Sequence, residues 1–154
     1  MNLHLDTGTE ACLAECYGVF ENSEIFERYF ANGEGLSRSL AAAVREEQLY
    51  LARSETGEIA GAMRAEWRGF CGLYPYLALL GTKDSFRGQG VGRFLLSEYH
   101  RIAKERGAKR VTLMVSHFNT RAKAFYEAEG YCTLGLIPNA VREGIDEYLM
   151  IKDL

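Results

Sequence analysis

Hydrophobic positions recur at helical spacing through the first third of the chain and change to strand-like runs from position 48 onward. Leu13, Cys16, Tyr17 and Phe20 mark one apolar helix face, Ile25, Phe26, Tyr29 and Phe30 a second, and Leu36, Leu40 and Val44 a third, since residues three and four apart stack on one side of a helix. Asn22 or Ser23 is placed to cap the second helix, and Gly33 with Gly35 separates it from the third. Any strand at residues 3–5 would be short. Residues 48–53 and 59–67 read as strands joined at Glu55-Thr56-Gly57-Glu58, a glycine-containing hairpin connection. Residues 74–82 are nearly all apolar, which predicts a central, buried strand. A helix over residues 90–106 follows, with Val91, Phe94, Leu95, Tyr99 and Ile102 on one face and Gly107 at its end. A buried strand at 111–115, a helix at 120–129 stopped by Gly130, and closing strands at 131–137 and 147–151 complete the reading.

This order predicts a mixed α/β fold around one sheet. The strand–helix–strand step from 74–82 to 111–115 is a crossover, so those two strands should run parallel with a right-handed connection. No repeat, low-complexity tract or linker divides the chain, and one domain over residues 1–154 is expected. At 154 residues and 47% hydrophobic the composition is that of an ordinary globular chain. A chain of this size buries roughly 70% of its unfolded surface, so no metal, disulfide or partner is needed to make a core.

The longest apolar stretch, residues 74–81, falls far short of the ~20 residues that span a bilayer. The N-terminus lacks the basic start and apolar middle of a signal peptide, so a cytoplasmic chain with no membrane partner is expected. Cys12, Cys16, Cys71 and Cys132 form no CxxC pair and are expected to be reduced and buried. His4, His100 and His117 are scattered without zinc-site spacing, so no metal is expected.

The charge is uneven. Between Lys83 and Lys123 stand ten basic and three acidic residues, a net +7, while the rest of the chain carries −10, together the formal −3. A basic middle on an acidic chain suggests a phosphorylated ligand beside a site more congenial to cations, although solvated helix faces would look the same. An acidic total without aromatic-basic interleaving argues against nucleic acid.

Arg87-Gly88-Gln89-Gly90-Val91-Gly92-Arg93 lies between a predicted strand and a predicted helix. Glycines there allow close main-chain approach to a ligand, and the first amides of the helix have no partner within it, so such a turn binds anions. Arg87 and Arg93 add full charges. A nucleotide P-loop needs a Lys-Ser/Thr pair after its glycines, which is missing. The dinucleotide fingerprint needs a third glycine where Arg93 stands, and an early strand–helix–strand unit where this chain opens with helices. The pattern Arg/Gln-x-x-Gly-x-Gly/Ala fits completely, with a glycine-rich turn that binds nothing as the alternative.

A second pattern, Asn-x-x-Ala-x-x-Phe-Tyr-x-x-x-Gly-Tyr, covers Asn119, Ala122, Phe125, Tyr126, Gly130 and Tyr131. By itself it could be an N-cap, core contacts and a C-cap. Paired in this order with the glycine loop, on a strand–helix–strand–helix frame, the two segments resemble the signatures of the Gcn5-related N-acetyltransferase (GNAT) superfamily. The outline agrees from Gln48 to the C-terminus, and the first 45 residues agree only in being helical.

The resemblance implies a mostly antiparallel central sheet with one splayed parallel pair and helices on both faces. It implies acetyl-CoA as co-substrate, its pantetheine arm against the backbone of Leu80, Gly81 and Thr82 and its diphosphate on the amides of residues 87–92. Asn119 would contact the arm, and Phe125 and Tyr126 would line its end. Lys123 would either add charge near the cofactor or be a solvated lysine. A homodimer through the last strands is implied by analogy.

Acetyl transfer to an amine needs a neutral nucleophile and a proton for the departing thiolate. Tyr126 looks like that donor, because a phenol stays protonated at neutral pH. No carboxylate lies on the strand before the glycine loop, and members that act on protein N-termini carry a glutamate where this chain has Met114. Glu66, acting through water, is the first candidate base and His117 the second. The acceptor site is expected from the first three helices, residues 70–76 and the closing strands. Trp67, Phe70, Tyr74 and Tyr76 could form an amine-receptive pocket or simply pack. The acceptor would be a primary amine of a small molecule or peptide. The alternatives are a non-catalytic acyl-CoA-binding module and a nucleotide-dependent oxidoreductase, the latter disfavoured by Arg93 and the strand order.

Overall fold

The computed structural model describes residues 1–30 and 33–154. In chain order the elements are β1 (Leu3–Thr7), a 3-10 turn (Glu10–Cys12), α1 (Leu13–Phe20), α2 (Glu24–Tyr29), α3 (Glu34–Arg45), β2 (Leu49–Ser54), β3 (Ile59–Phe70) and β4 (Tyr74–Thr82). A second 3-10 turn (Asp84–Phe86), α4 (Val91–Glu105), β5 (Arg110–Ser116), α5 (Thr120–Ala128), β6 (Cys132–Arg142) and β7 (Ile145–Asp153) follow. The strands are ordered β1-β2-β3-β4-β5-β7-β6, a mostly antiparallel seven-stranded sheet with β4 and β5 as the parallel pair. That is the mixed α/β class and the parallel step the sequence predicts. The chain divides into two compact units, Met1–Ala65 with Leu79–Arg101, and Glu66–Ala78 with Ile102–Leu154.

In the first unit the three predicted apolar helix faces converge. Cys16, Phe20, Leu36, Leu40 and Ala43 are buried with Leu49, Leu51, Ile59 and Ala62 of β2 and β3. Ser23 is the cap of α2, its Oγ accepting the Phe26 amide at 3.1 Å. Gly33 immediately precedes α3, whereas Gly35 lies inside that helix. β1 is longer than residues 3–5 and pairs with β2 from Leu3–Ser54 to Thr7–Tyr50. The hydrophobic pattern understated it because an edge strand needs little apolar surface. Its anchor is partly ionic, Arg53 Nε donating to Asp6 Oδ2 at 2.8 Å, which holds the Asp6 carboxyl below its ordinary range. Close packing also has a glycine signature: a Cβ on Gly81 would meet the Phe20 ring at 2.4 Å, and one on Gly61 would meet Val91 at 2.6 Å.

In the second unit β5 pairs antiparallel with β7 from Arg110–Asp153 to Ser116–Glu147, burying Val111, Leu113, Val115 and Met150. β6 is exposed along nearly its whole length, with Leu134 at 60% and Val141 at 59% of full exposure. Both closing strands extend beyond the predicted ends.

Two expectations are corrected. β4 is central in strand order, but only Pro75 and Leu77 are buried, and the remaining residues through Thr82 are half-buried. Apolar composition fixes what a strand prefers, while burial requires cover, and the parallel pairing registers Tyr76 with Thr112 and Leu77 with Leu113 only, in strands of nine and seven residues. Cys12 and Cys16 are buried free thiols with their sulfurs 3.7 Å apart, but Cys71 and Cys132 are exposed, one in the β3–β4 turn and the other opening β6. Among the described residues no helix is long and apolar enough to cross a membrane, and no cluster of three or more His, Cys, Asp or Glu is placed to hold a metal.

Candidate functional site

The first unit carries the glycine loop. Leu80, Gly81 and Thr82 end β4 half-buried, the 3-10 turn follows, and residues 87–90 are exposed ahead of α4. Gly88 and Gly90 have φ of +74° and +84°, left-handed values that side chains rarely adopt, and a Cβ on either would meet nothing within 4 Å. Open space with a backbone only glycine adopts readily makes a surface on which a ligand can approach the main chain. The first bond into the helix runs from the Phe94 amide to the Gly90 carbonyl at 2.9 Å, so the amides of Val91, Gly92 and Arg93 precede any acceptor within α4. The loop is pinned from within: Arg87 Nη2 lies 2.6 Å from Asp84 Oδ1, and Gln89 Nε2 donates to the Ser85 carbonyl at 3.0 Å. The charge of Arg87 is therefore shared with Asp84. Of the other loop residues, Val91 is buried and Arg93 exposed.

The second unit carries the Asn-to-Tyr segment. Asn119 is the N-cap of α5, its Oδ1 accepting the Ala122 amide at 3.2 Å while its own amide donates to the Ser116 carbonyl at 2.9 Å. Phe125 and Tyr126 are half-buried with ring centroids 5.3 Å apart, and Tyr126 meets the Tyr131 ring edge-on at 5.7 Å. Burial, and after it the neighbouring Tyr76 phenol, pushes the Tyr126 hydroxyl well above the ordinary tyrosine range. Lys123 pairs with Glu127 one turn on and lies 5.1 Å from the centroid of the Tyr148 ring, so it is held within its own unit.

The two candidate bases differ. Glu66 is half-buried, and its side chain and Tyr76 both crowd the Cα of Gly69, where an added Cβ would meet Glu66 Oε2 at 2.6 Å and Tyr76 Cβ at 3.0 Å. Glu66 thus lies by the same Tyr76 that influences Tyr126. His117 is exposed and meets the backbone of β7. Its amide donates to the Asp146 carbonyl at 2.9 Å, and the Asp146 amide donates to its Nδ1 at 3.1 Å. The same Nδ1 lies 3.2 Å from the Asp146 carbonyl, so the Asp146 backbone engages this edge of the ring. The proposed amine-receptive aromatics are also largely engaged: the Arg106 guanidinium lies 4.5 Å over Trp67, and Phe70 stacks on Tyr74 at 6.5 Å.

Sequence reasoning passed over Ser116 and Glu147, the latter the one charged side chain among the described residues that is buried. Ser116 Oγ donates to Glu147 Oε1 at 3.0 Å. The available signal was the period-two pattern Ile145, Glu147, Leu149, which aligns an acid with the inward positions of a strand.

Comparison with known proteins now bears on this geometry. The model of the acetyltransferase (GNAT) family matches residues 11–131. The chain is 30% identical over 125 residues to the uncharacterized N-acetyltransferase YhfO of Bacillus subtilis, a match spanning 73% of this chain and 78% of that one. It is 30% identical over 79 residues to N-alpha-acetyltransferase 30 of Schizosaccharomyces pombe, spanning 51% of this chain and 53% of that one. In fold it is similar to Ard1 from Thermoplasma volcanium, with a TM-score of 0.83 at 17% identity over 100% of this chain and 99% of that one.

Proposed function

The chain belongs to the GNAT family of acetyltransferases, and on that premise we propose that it transfers the acetyl group of acetyl-CoA to a primary amine of a small molecule or peptide by direct attack. The amides opening α4, behind the open glycines Gly88 and Gly90, would take the diphosphate, with Arg87 and Arg93 adding charge. The backbone of Leu80, Gly81 and Thr82 would meet the pantetheine arm, as would Asn119 and Phe125. Asn119 Oδ1 caps α5 with one of its lone pairs, so its side-chain NH₂ and the second lone pair would be the groups that meet a ligand.

The observation that carries the chemistry is the state of Tyr126. Burial keeps this phenol protonated at working pH, so its hydroxyl would be present as a donor beside the departing thiolate, and the same burial makes it a weaker acid than a free tyrosine. The neutral acceptor nitrogen would form a bond to the thioester carbonyl carbon, the C–S bond would break as Tyr126 protonates the sulfur, and the proton shed by the new amide nitrogen would restore the tyrosine through water. The acidic balance outside residues 83–123 favours a cationic or neutral acceptor. One relative is an N-alpha-acetyltransferase, but Met114 stands here where members acting on protein N-termini carry glutamate, which turns the reading toward small-molecule or lysine-type amines.

The test is release of free thiol from acetyl-CoA with spermidine, amino acids, kanamycin and lysine peptides offered in turn. Release with at least one amine, and acetylated product by mass spectrometry, is the expected result. Calorimetric binding of CoA without release for any amine would replace this reading with a non-catalytic acyl-CoA-binding module.

A further inference from the structure

A cavity of about 470 Å³, within the size range of small-molecule sites, opens in the second unit where the α4–β5 turn meets the start of β4 and the end of β7. Its lining residues have no part in the acetyl-transfer reading. Part of the lining is apolar: Leu73 is 70% exposed and stands next to Tyr74, whose ring is stacked on Phe70. Gly107 keeps its side of the cavity open, since a Cβ there would meet nothing within 4 Å.

The charged lining is Lys109 and Arg110 against Asp153, a net +1. Arg110 Nε donates to Asp153 Oδ1 at 2.8 Å, and Asp153, with the Tyr74 hydroxyl after it, holds the guanidinium above its ordinary pKa. A guanidinium carries five donors, so this pairing orients its plane and leaves further N–H groups for a planar anion. The nearby main chain offers less: the Gly107 and Ala108 amides donate to the Lys104 and Ala103 carbonyls, and the Leu154 amide donates to the Lys109 carbonyl. Recognition of charge therefore falls to the two cationic side chains. A cationic ligand would have to compete with Arg110 for Asp153, whereas one negative charge balances the lining. An apolar body on the same ligand would take Leu73 out of water.

We propose that this cavity binds a small organic monocarboxylate with an apolar body, its carboxylate on Arg110 and Lys109 and its body against Leu73 and Tyr74. Binding here is independent of the acetyl-transfer reading. Inorganic phosphate would meet the charges without using the apolar lining, and a neutral molecule of the same shape would meet the lining without the charges. Arg110 is the first residue of β5, and Asn119 lies three residues past the last, so the strand between them spans roughly 20 Å. CoA and the carboxylate should therefore bind together.

The experiment titrates phenylacetate, phenylacetamide, acetate and inorganic phosphate into the full chain and follows backbone amide shifts by NMR, for wild type, Arg110→Gln and Leu73→Ser. Phenylacetate should bind with a Kd of about 1 mM, as expected for a ligand of its size, and shift the amides of Leu73, Tyr74, Lys109 and Arg110. Phenylacetamide, acetate and phosphate should each bind about tenfold more weakly, because each lacks either the charge or the apolar body. Arg110→Gln should weaken phenylacetate about tenfold. Leu73→Ser should weaken it about threefold, and it carries the test if Arg110→Gln does not fold, since Leu73 is exposed on a turn. Saturating CoA should leave the Kd within about twofold. The proposal is overturned by no shift at about 30 mM phenylacetate, by shifts that centre on Asn119 or the glycine loop, by phenylacetamide or phosphate binding as well as phenylacetate, by an affinity that Leu73→Ser leaves unchanged, or by displacement with CoA.

Discussion

Helices α4 and α5 both begin with amides that the helix cannot satisfy, and the chain treats the two starts differently. Ahead of α4 it places exposed glycines at positive φ with open space around them. Ahead of α5 it places Asn119, whose side chain accepts the Ala122 amide and whose own amide is taken by the Ser116 carbonyl. The first start sets its opening amides ahead of any acceptor within α4, on an open glycine backbone, and the second uses its polar groups to seat a helix that carries Tyr126. A helix N-terminus is therefore not one kind of feature. Whether it serves binding or positioning depends on who satisfies its donors.

The sharpest way to break this comparison is at the helix that is seated. Tyr126→Phe should lower kcat by about 100-fold or more while the KM for acetyl-CoA stays nearly unchanged, since only the proton donor is removed. Because the phenol sits above its ordinary pKa, wild-type kcat should show no alkaline fall from this group below about pH 10. Steady-state kinetics across pH decide it, and a Phe variant with wild-type turnover removes Tyr126 from the chemistry.

An intermediate effect is expected at the α4 start. Gly90→Ala meets no neighbour, so its penalty to folding comes from φ alone, about 1 kcal/mol. The added methyl stands where a ligand would approach the backbone, so the Kd for CoA by calorimetry should rise about tenfold, a loss near 1.4 kcal/mol. Unchanged affinity would show that the loop is only a turn.

The smallest effect is expected at the cap itself. Asn119→Ala should cost about 1 kcal/mol of stability, a fall in Tm of about 2–4 °C for a chain of this size, and Asn119→Ser should restore most of it. Thermal melts separate the two. If alanine leaves Tm unchanged, the cap is not what seats α5.

Much of this contrast was legible in the chain. Gly88 and Gly90 announce a permissive backbone by residue type alone, and Asn119 three positions before Ala122 has the spacing of a cap. The helix faces of α1, α3 and α4 were likewise readable, because their period is a local property. Other features were not. His117 reads as a loop histidine, and only the fold shows the Asp146 backbone of β7 against its Nδ1, 29 residues away in sequence. Cys132 reads as a buried small residue until β6 proves to be exposed along most of its length. Glu147 draws no notice in the sequence, and only the register that places Ser116 opposite it shows it to be buried.

The amino-acid sequence alone determined the order of elements, the glycines that keep the loop open, the cap of α5 and the two signatures of an acetyltransferase. All of these depend on φ/ψ preferences and on neighbours within one turn. Tertiary structure alone decided that most of β4 stays partly exposed, that His117 meets the backbone of β7, and that a carboxylate is buried against a serine. Those depend on which strand lies alongside and in what register, and register is set by pairing between segments that no local pattern can specify.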